Sequence, residues 1–412
     1  MSLLTSLLIL IVAARLLGSV FTRFGQPAMI GEMLAGILLG PAIFGVLDPS
    51  PALAGVAELA VFLVILSAGL EMRFDDIVSA MKGGGFKLAV ISFSIPFLGG
   101  VGIAWLYELD AMRSIFLGLC ISITALPVAA KILENLGLLD TPIGRYTIAT
   151  AIINDVAAMM VLGMVLAMPH MTSLSDVASS LGIAMVKLVA LIAMVLAFNH
   201  GLGWLERRGV NVKVVPERLV SWFGAEALFG IVVLFVLIFG SVSEALGFHF
   251  VIGAFFGALL LDKRHFLASR YDELKLTLGS LTGGFLAPVF FAYLGLEFDM
   301  DALKSPGFVI AVLAVSIFTK VFAGMWGGQA LGMSRRESLG LGFMLNGRGV
   351  MELVVASIAY QKGFIGPGIY STLVLMGVVT TMLTPWLFSR AMPESRLVEY
   401  RQRHAVNRSE SV

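Results

Sequence analysis

Residues 123–167 read ITALPVAAKILENLGLLDTPIGRYTIATAIINDVAAMMVLGMVLA and hold two apolar runs, each interrupted by a polar or helix-breaking feature. The first run contains the tetrapeptide TALP at 124–127, where Pro127 lacks a backbone N–H and disfavours helical geometry in the residue before it. The second run carries Asn154 and Asp155 about halfway along. A carboxylate at membrane depth is costly and usually serves an ion or a proton. This stretch therefore predicts a broken membrane helix followed by a helix with a functional acid.

The composition of the whole chain predicts a membrane protein. Of its 412 residues, 58% are hydrophobic and 13% are charged, and the mean hydropathy is +0.95. Such a chain cannot bury its apolar surface in a water-soluble globule, so lipid must be its main solvent. The net charge of +1 argues against a general affinity for nucleic acid. The single cysteine, Cys120, excludes an intramolecular disulfide, and no Cys/His metal spacing occurs.

Thirteen apolar segments are long enough to cross a bilayer as helices. The first lacks the basic start of a signal peptide, because its arginines follow the apolar run, and it is interpreted as a transmembrane helix. The thirteen segments lie near 2–22, 27–46, 52–71, 86–107, 113–137, 143–167, 177–203, 222–240, 243–262, 277–297, 307–331, 338–361 and 368–389.

Basic residues are distributed unequally between the two sides of this map. The odd-numbered connections and the tail at 390–412 hold twenty lysines and arginines, whereas the even-numbered connections hold three. Because cytoplasmic loops carry the excess of basic residues, the N-terminus is predicted outside and the C-terminus in the cytoplasm. The basic tail is interpreted as a solvated anchor on the cytoplasmic side.

An internal repeat lies beneath the segment map. GLEMRFDD begins at Gly69 and GLEFDMDA begins at Gly295, an offset of 226 residues, and the same offset aligns 132–137 with 358–363. The two copies are seven helices apart, so they must cross the membrane in opposite directions. Inverted repeats of this kind give many secondary transporters their two alternately open faces. The alternative is an old duplication without a mechanistic role.

Each copy also carries a helix breaker at the corresponding place. The first is the TALP tetrapeptide, and the second is Asn346-Gly347-Arg348-Gly349. Interrupted backbone at membrane depth is tolerated where it is buried or lines a watery cavity, and it frees carbonyls and half-helix ends to meet an ion. A simple kink would explain either break alone. Two breaks, one in each copy, favour a binding site.

Asp155 is the predicted ion and proton ligand. A carboxylate taken out of water binds its proton more tightly and can then hold either a proton or a cation. If access alternates only when the site is occupied, the result is obligatory exchange. Asn154 can orient the site without adding charge, Thr124 can add a hydroxyl, and carbonyls freed near Ala125 can replace water around a monovalent cation.

Three further charged residues within predicted helices bear on this site. Lys320, near the middle of its span, needs an acidic partner, for which Asp155 is the candidate, unless it compensates half-helix dipoles or snorkels through a crevice. Arg348 and Glu352 are four residues apart, which predicts one helical face and mutual neutralisation. Because arginine stays protonated, this pair is interpreted as structural rather than as a proton carrier.

Six motifs together resemble the second monovalent cation:proton antiporter family. They are GEMLAGILLGP at 31–41, FLVILSAGLEM at 62–72, ITALPVAAKILENLGLL at 123–139, IINDVAA at 152–158, FTKVFAG at 318–324 and NGRGVMEL at 346–353. The resemblance implies a homodimer with a thirteen-helix, all-α fold. It implies a core of crossed broken helices at about 52–167 and 277–389 and a dimerisation domain at about 2–46 and 177–262. It also assigns ion binding to Asp155 and the role of its basic partner to Lys320.

The chain departs from this family in two respects. Many sodium-exporting relatives have two adjacent aspartates, whereas Asn154-Asp155 resembles the plant cation/proton exchangers and the electroneutral exchangers. One carboxylate fits electroneutral one-for-one exchange, although a titrating Lys320 could add a proton. Kef-type potassium efflux relatives continue into a nucleotide-binding regulatory domain, which is not expected here because the chain ends soon after the last span.

The sequence therefore predicts a cell (inner) membrane antiporter that exchanges Na⁺ or K⁺ for H⁺ without a cofactor and without enzyme activity. Its predicted partners are the cation, the proton and the lipid bilayer. Three alternatives remain at this point. They are a cation-coupled organic solute symporter of the same repeat plan, a channel, and an intramembrane hydrolase, against which the lack of HExxH and of an acid partner for Asp155 argues.

Overall fold

The computed structural model describes residues 1–71, 84–139, 141–166, 174–208, 214–261, 263–393, 397 and 400. All regular structure in these residues is helical, as predicted. The α-helices are α1 (Leu3–Arg23), α2 (Ala28–Leu39), α3 (Pro51–Glu71), α4 (Gly84–Leu106), α5 (Ala111–Ser122), α6 (Leu126–Asn135), α7 (Pro142–Leu166), α8 (Leu174–Arg207), α9 (Val214–Phe223), α10 (Ala225–Ala245), α11 (Phe250–Leu259), α12 (Ala268–Leu281), α13 (Ala287–Leu296), α14 (Pro306–Ala330), α15 (Arg335–Leu345), α16 (Val350–Gln361) and α17 (Pro367–Ala391). Most of the predicted basic tail, including 401–412, lies outside the described residues.

These helices define a multi-pass membrane protein. Within the described ranges, nine helical stretches are long and apolar enough to cross a bilayer, and the bent pair α15 and α16 makes ten. Three shorter apolar helices, α2, α5 and α11, lie in other predicted segments. The predicted architecture is confirmed, and the count of thirteen spans is approximate. The outer face of α1 shows why a membrane is required. Its Leu4 is 78% exposed and its Leu16 is 64% exposed, so lipid is needed to cover these apolar side chains.

Two of the predicted segments were too long because turn residues end their helices early. The segment at 27–46 contains α2, which ends at Leu39 before Gly40 and Pro41, and proline disfavours helical geometry in the residue before it. The segment at 243–262 begins instead with the end of α10, then a turn at Gly247 with φ of 88°. Glycine adopts that left-handed conformation readily, and α11 starts only at Phe250.

The chain folds into two compact units. The first consists of Met1–Gly55, Ile77–Ala158 and Pro288–Val412, and the second of Val56–Asp76 and Met159–Ala287. In the first unit, Gly36 lies against the backbone of Gly295, where any side chain would collide. All of the candidate site residues belong to this first unit. The division into a core and a dimerisation domain stays a prediction.

Helix boundaries repeat along the first unit. α5 and α15 begin 224 residues apart, at 111 and 335, and α7 and α17 begin 225 residues apart, at 142 and 367. Each copy has its broken span between these two helices, at 123–125 and at 346–349. The bend between α15 and α16 is 43°. These offsets agree with the predicted repeat, although part of the motif that starts at Gly69 lies at 72–76, outside the described residues.

A third helix irregularity, besides the two breaks, was not predicted. Between α12 and α13 the helix widens to a π-helix over Thr282–Leu286, and the Ala287 N–H donates to the Thr282 carbonyl five residues earlier. Gly283 and Gly284 supply the conformational freedom that such a bulge uses. A glycine pair in an apolar run does not by itself distinguish a bulge from close helix packing.

Candidate ion-binding site

The two helix breaks contact each other through their backbones. The Ala125 N–H donates to the Gly347 carbonyl at 3.0 Å, and the Thr124 hydroxyl donates to the Leu345 carbonyl at 3.1 Å. Gly349 brings the chains close, since a Cβ on it would lie 2.5 Å from the Cβ of Ala125. Each break therefore satisfies polar groups that the other leaves open, and the predicted crossing of two broken helices is confirmed.

Lys320 on α14 is fully buried and spans the gap between α4 and α5. Its ammonium donates to the Ser92 carbonyl at 3.1 Å, to the Thr124 hydroxyl at 2.8 Å and closely to the Ser122 carbonyl. Ser92 lies four residues before Pro96, which has no N–H to complete the helical hydrogen bond. Ser122 is the last residue of α5, where carbonyls have no intrahelical donor. Lys320 thus satisfies two carbonyls that the local sequence leaves open.

Arg348 satisfies the same helix end in the same way. Its Nη1 donates to the Cys120 carbonyl at 3.0 Å and to the Ile123 carbonyl at 2.5 Å. Ile123 follows the last residue of α5 and has an extended backbone, so its carbonyl has no intrahelical donor. The C-terminal end of a helix carries the negative end of its dipole, which favours cations. Two buried cations therefore bind the end of α5. For Lys320, this is the compensation of a helix dipole that the sequence left as an alternative.

The ion pair between Arg348 and Glu352 is present but differs from the predicted arrangement. Arg348 lies in the break rather than on a helix, because α16 begins only at Val350. Its Nε is 3.7 Å from Glu352 Oε2, and both side chains are fully buried. The backbone of Arg348 is fixed by Thr381, whose hydroxyl accepts from the Arg348 N–H at 3.1 Å and donates to its carbonyl at 3.0 Å. The spacing of four residues predicted the two partners correctly. It did not predict that Arg348 lies outside the helix, with its backbone held by Thr381.

Asp155 on α7 is fully buried, and among the residues that the structure describes neither of its carboxylate oxygens has a hydrogen-bond donor. The adjacent Asn154 donates through Nδ2 to the Ser92 hydroxyl at 3.2 Å, while its Oδ1 likewise lacks a donor within the described ranges. Lys320 does not donate to Asp155, since its ammonium is engaged by three other oxygens. The predicted Lys320–Asp155 pair is therefore not a direct hydrogen bond.

Thr124 and Ala125 have structural contacts in this site. The Thr124 hydroxyl accepts from Lys320 and donates to Leu345, and the Ala125 carbonyl accepts from the Ala129 N–H at 3.1 Å. Both residues therefore hold the crossing together. A role as cation ligands would have to use the remaining lone pair of the Thr124 hydroxyl or of the Ala125 carbonyl.

Ser92 was missed by sequence reasoning, although it links two of the predicted residues. Its hydroxyl accepts from Asn154 and its carbonyl accepts from Lys320. The signal was the spacing between Ser92 and Pro96, because a carbonyl four residues before a helical proline needs another donor.

The site contains buried oxygen atoms that could bind a positive ion. The two Asp155 oxygens and Asn154 Oδ1 are buried acceptors, and the neighbouring cations are tied to carbonyls at the end of α5. Oxygen ligands of this type suit a proton or a hard monovalent cation. Buried carboxylates beside crossed broken helices, on an inverted-repeat plan, define a secondary ion transporter.

The chain belongs to the family described as sodium/hydrogen exchanger, transmembrane, whose model matches residues 7–390. This membership confirms the family resemblance and sets aside the intramembrane hydrolase, because the chain is a transporter and not an enzyme.

Similar proteins carry related descriptions. The chain is 28% identical to the Na⁺/H⁺ antiporter NhaS4 of Synechocystis sp., over 95% of this chain and 97% of that protein. It is 28% identical to cation/H⁺ antiporter 20 of Arabidopsis thaliana, over 91% of this chain but only 47% of that protein. The fold is similar to that of the sodium proton antiporter MjNhaP1 from Methanocaldococcus jannaschii, with a TM-score of 0.70, 17% identity, and coverage of 97% of this chain and 99% of that one.

Proposed function

We propose that this protein is a secondary active antiporter that exchanges a monovalent cation, Na⁺ or K⁺, for H⁺ by alternating access. The observation that carries the proposal is the fully buried Asp155 carboxylate with two unpartnered oxygens, beside cations that are already bound to carbonyls. A proton and a cation then compete for one group. The descriptions of the related antiporters support the same activity.

Charge counting supports electroneutral, one-for-one exchange. Lys320 and Arg348 are two buried cations, and Asp155 and Glu352 are two buried acids, so the site is neutral when all four are ionised. Binding either one proton or one monovalent cation at Asp155 gives the same net charge. The membrane potential then has no charge difference to act on between the two half-cycles.

The neighbouring residues would assist without titrating. Asn154 is held by Ser92, which directs its free Oδ1 as a neutral ligand beside Asp155. Thr124 and Ala125 keep the two breaks in register, with Thr124 as a further candidate oxygen ligand. Lys320, Arg348 and Glu352 are proposed as the charge framework that keeps this crossing in place.

The wider setting is also a proposal. We propose a cell (inner) membrane location, and the distribution of basic residues supports an external N-terminus and a cytoplasmic C-terminus. A homodimer with separate core and dimerisation domains is proposed from the family resemblance. Exchange would run on ion gradients alone, with no bound cofactor.

Proton movement in liposomes tests this proposal. Purified protein is reconstituted with a trapped pH dye and a preset acid interior, and external Na⁺, K⁺ or Li⁺ is added. Cation addition should dissipate the gradient at a rate that an imposed membrane potential does not change. Asp155→Asn should abolish the response, whereas Asp301→Asn, at an exposed ion pair with Lys304, should not. Undiminished exchange by Asp155→Asn would remove Asp155 from the mechanism.

A further inference from the structure

Unpartnered oxygens continue along α7 beyond Asp155. The hydroxyls of Thr147 and Thr150 are fully buried, and within the described part of the chain they have no hydrogen-bond partner. With Asn154 Oδ1 and both Asp155 oxygens, they place five such atoms on one helix. Buried polar atoms without partners are few in native proteins, so this concentration needs an explanation.

The ordinary fate of a threonine in these helices is different. A threonine hydroxyl usually donates to the carbonyl four residues earlier, which would be Ile143 for Thr147 and Tyr146 for Thr150. Five other threonines of this chain make that bond, at 2.6 to 2.9 Å, namely Thr22, Thr319, Thr372, Thr380 and Thr384. The hydroxyls of Thr147 and Thr150 are therefore turned away from their own backbone.

Helix geometry aligns three of these side chains into a ladder. At about 100° per residue, Thr147, Thr150 and Asn154 fall within about 60° of one another, and Asp155 lies about 100° around the helix from Asn154. At 1.5 Å per residue, Thr147 lies about 12 Å from Asp155 along the axis, towards the start of α7. The ladder of Thr147, Thr150 and Asn154 thus runs from near the Pro142 end of the helix to the residue next to Asp155.

Helix α4 contacts α7 at two levels and has no buried polar side chain between them. Asn154 faces α4 through Ser92, and the starts of the two helices are also adjacent, since a Cβ on Gly84 would lie 3.6 Å from the Tyr146 hydroxyl. Between these two contacts, the buried residues of α4 are Gly85, Leu88 and Ala89. None of them carries a side-chain donor or acceptor for the threonine hydroxyls.

We propose that Thr147 and Thr150 are cation ligands on the approach to Asp155, where with Asn154 they replace part of the hydration shell of an entering monovalent cation. The inference rests on the proposed function, to which it adds two ligands and a route from the Pro142 end of α7. Neutral hydroxyl oxygens suit a transit site, because they bind a cation strongly enough to admit it and weakly enough to release it. A proton requires no such shell.

The test compares two threonines with a matched control. Thr147→Val and Thr150→Val remove the hydroxyls, whereas Thr372→Val removes an equally buried hydroxyl whose bond is made to Gly368. Initial rates of dye-reported exchange are measured in liposomes against Na⁺ and K⁺ concentration. The double variant should raise the KM for the cation about tenfold, equivalent to about 1.4 kcal/mol, with little change at saturating cation. The control should keep the KM of the unmodified protein.

Thermal unfolding of the purified proteins in detergent gives an independent readout. Na⁺ or K⁺ should raise the midpoint of the unmodified protein and of the Thr372→Val variant. The double valine variant should fold in the absence of cation and lose that rise. The serine variants Thr147→Ser and Thr150→Ser keep the hydroxyl and should retain the KM of the unmodified protein, which guards against a packing effect.

The outcomes distinguish failure of the proposed threonine ligands from failure of the proposed exchange mechanism. If the unmodified protein exchanges cations for protons but the double valine variant keeps both its KM and its cation-induced rise, the ladder is wrong and the proposed function stands. If serine raises the KM as much as valine, the hydroxyls are not the ligands. If the unmodified protein neither exchanges nor gains stability with any alkali cation, both proposals fail.

Discussion

Replacement of Lys320 by methionine tests whether its buried ammonium acts as a donor to open carbonyls. Methionine has a similar length but no N–H, so Lys320→Met leaves the carbonyls of Ser92 and Ser122 without their donor. The first of these carbonyls is open because of Pro96, and the second because α5 ends there. The change therefore removes one side chain and exposes two separate backbone defects.

The expected loss of stability follows from those two defects. Each buried carbonyl left without a partner costs about 1–3 kcal/mol, which gives about 2–6 kcal/mol for the pair. Removal of a buried charge offsets part of this, because its desolvation is itself unfavourable. We expect Lys320→Met to lower the free energy of unfolding by about 2–4 kcal/mol.

A second substitution separates the Ser92 contribution from the rest. Pro96→Ala restores an N–H four residues after Ser92, so its carbonyl can be satisfied within α4 and needs no lysine. In the Pro96→Ala background, the cost of Lys320→Met should fall by about 1–2 kcal/mol. Pro385→Ala, which removes the proline inside α17, is the matched control and should leave that cost unchanged.

The measurement is a double-mutant cycle on detergent-solubilised protein, with unfolding followed by the fluorescence of the five tryptophans. A coupling between Lys320 and Pro96 of less than about 0.5 kcal/mol, or an equal coupling to Pro385, would refute the argument that the lysine substitutes for the missing N–H.

Three further predictions use the same unfolding measurement. Gly349→Ala should cost about 1–3 kcal/mol, because its Cβ would lie 2.5 Å from that of Ala125, whereas Gly366→Ala, which meets open space, should cost little. Arg348→Met should destabilise more than Glu352→Gln, because Arg348 holds two carbonyls of α5 while Glu352 makes a 3.7 Å ion contact; equal losses would contradict this. Tyr400→Phe should cost about 1 kcal/mol near neutral pH, because the Tyr400 hydroxyl accepts from the Ile143 N–H. Burial raises the pKa of Tyr400 from 10.0 to about 12, so its contribution is full below pH 10 and is lost as the pH rises towards 12. A constant difference between the two proteins across that range would contradict the assignment.

The helices and their breaks could be predicted from sequence because local physics determines them. An apolar run must be helical in lipid, since each backbone group needs an internal partner. Pro127 and the glycines around Arg348 mark the interruptions, and charged residues inside apolar runs identified Asp155 and Lys320. The end of α2 and the start of α11 were misplaced in the prediction because turn residues, rather than hydrophobicity, determine these boundaries.

The partners of the charged groups could not be predicted in the same way. Opposite charge suggested that Lys320 pairs with Asp155, yet the lysine binds carbonyls on α4 and α5. Proline spacing can indicate which carbonyls need a donor, but only the packing of helices distant in sequence decides which side chain supplies it. The same limit hid Ser92, whose importance depends on α4 lying beside α7.

The positions of Lys320 and Arg348 bear directly on the proposed exchange of a proton for a cation at Asp155. If Lys320 were hydrogen-bonded to Asp155, an arriving cation would have to displace the ammonium, and the lysine charge or its proton would enter the transport cycle. Instead, Lys320 and Arg348 are held by carbonyls that the end of α5 leaves open, and Lys320 also by the Ser92 carbonyl that Pro96 leaves open on α4. Their positions are therefore fixed by the backbone of the crossing and not by the occupant of the site. In the proposed exchange, a proton or a cation would therefore bind at Asp155 without displacing either of them.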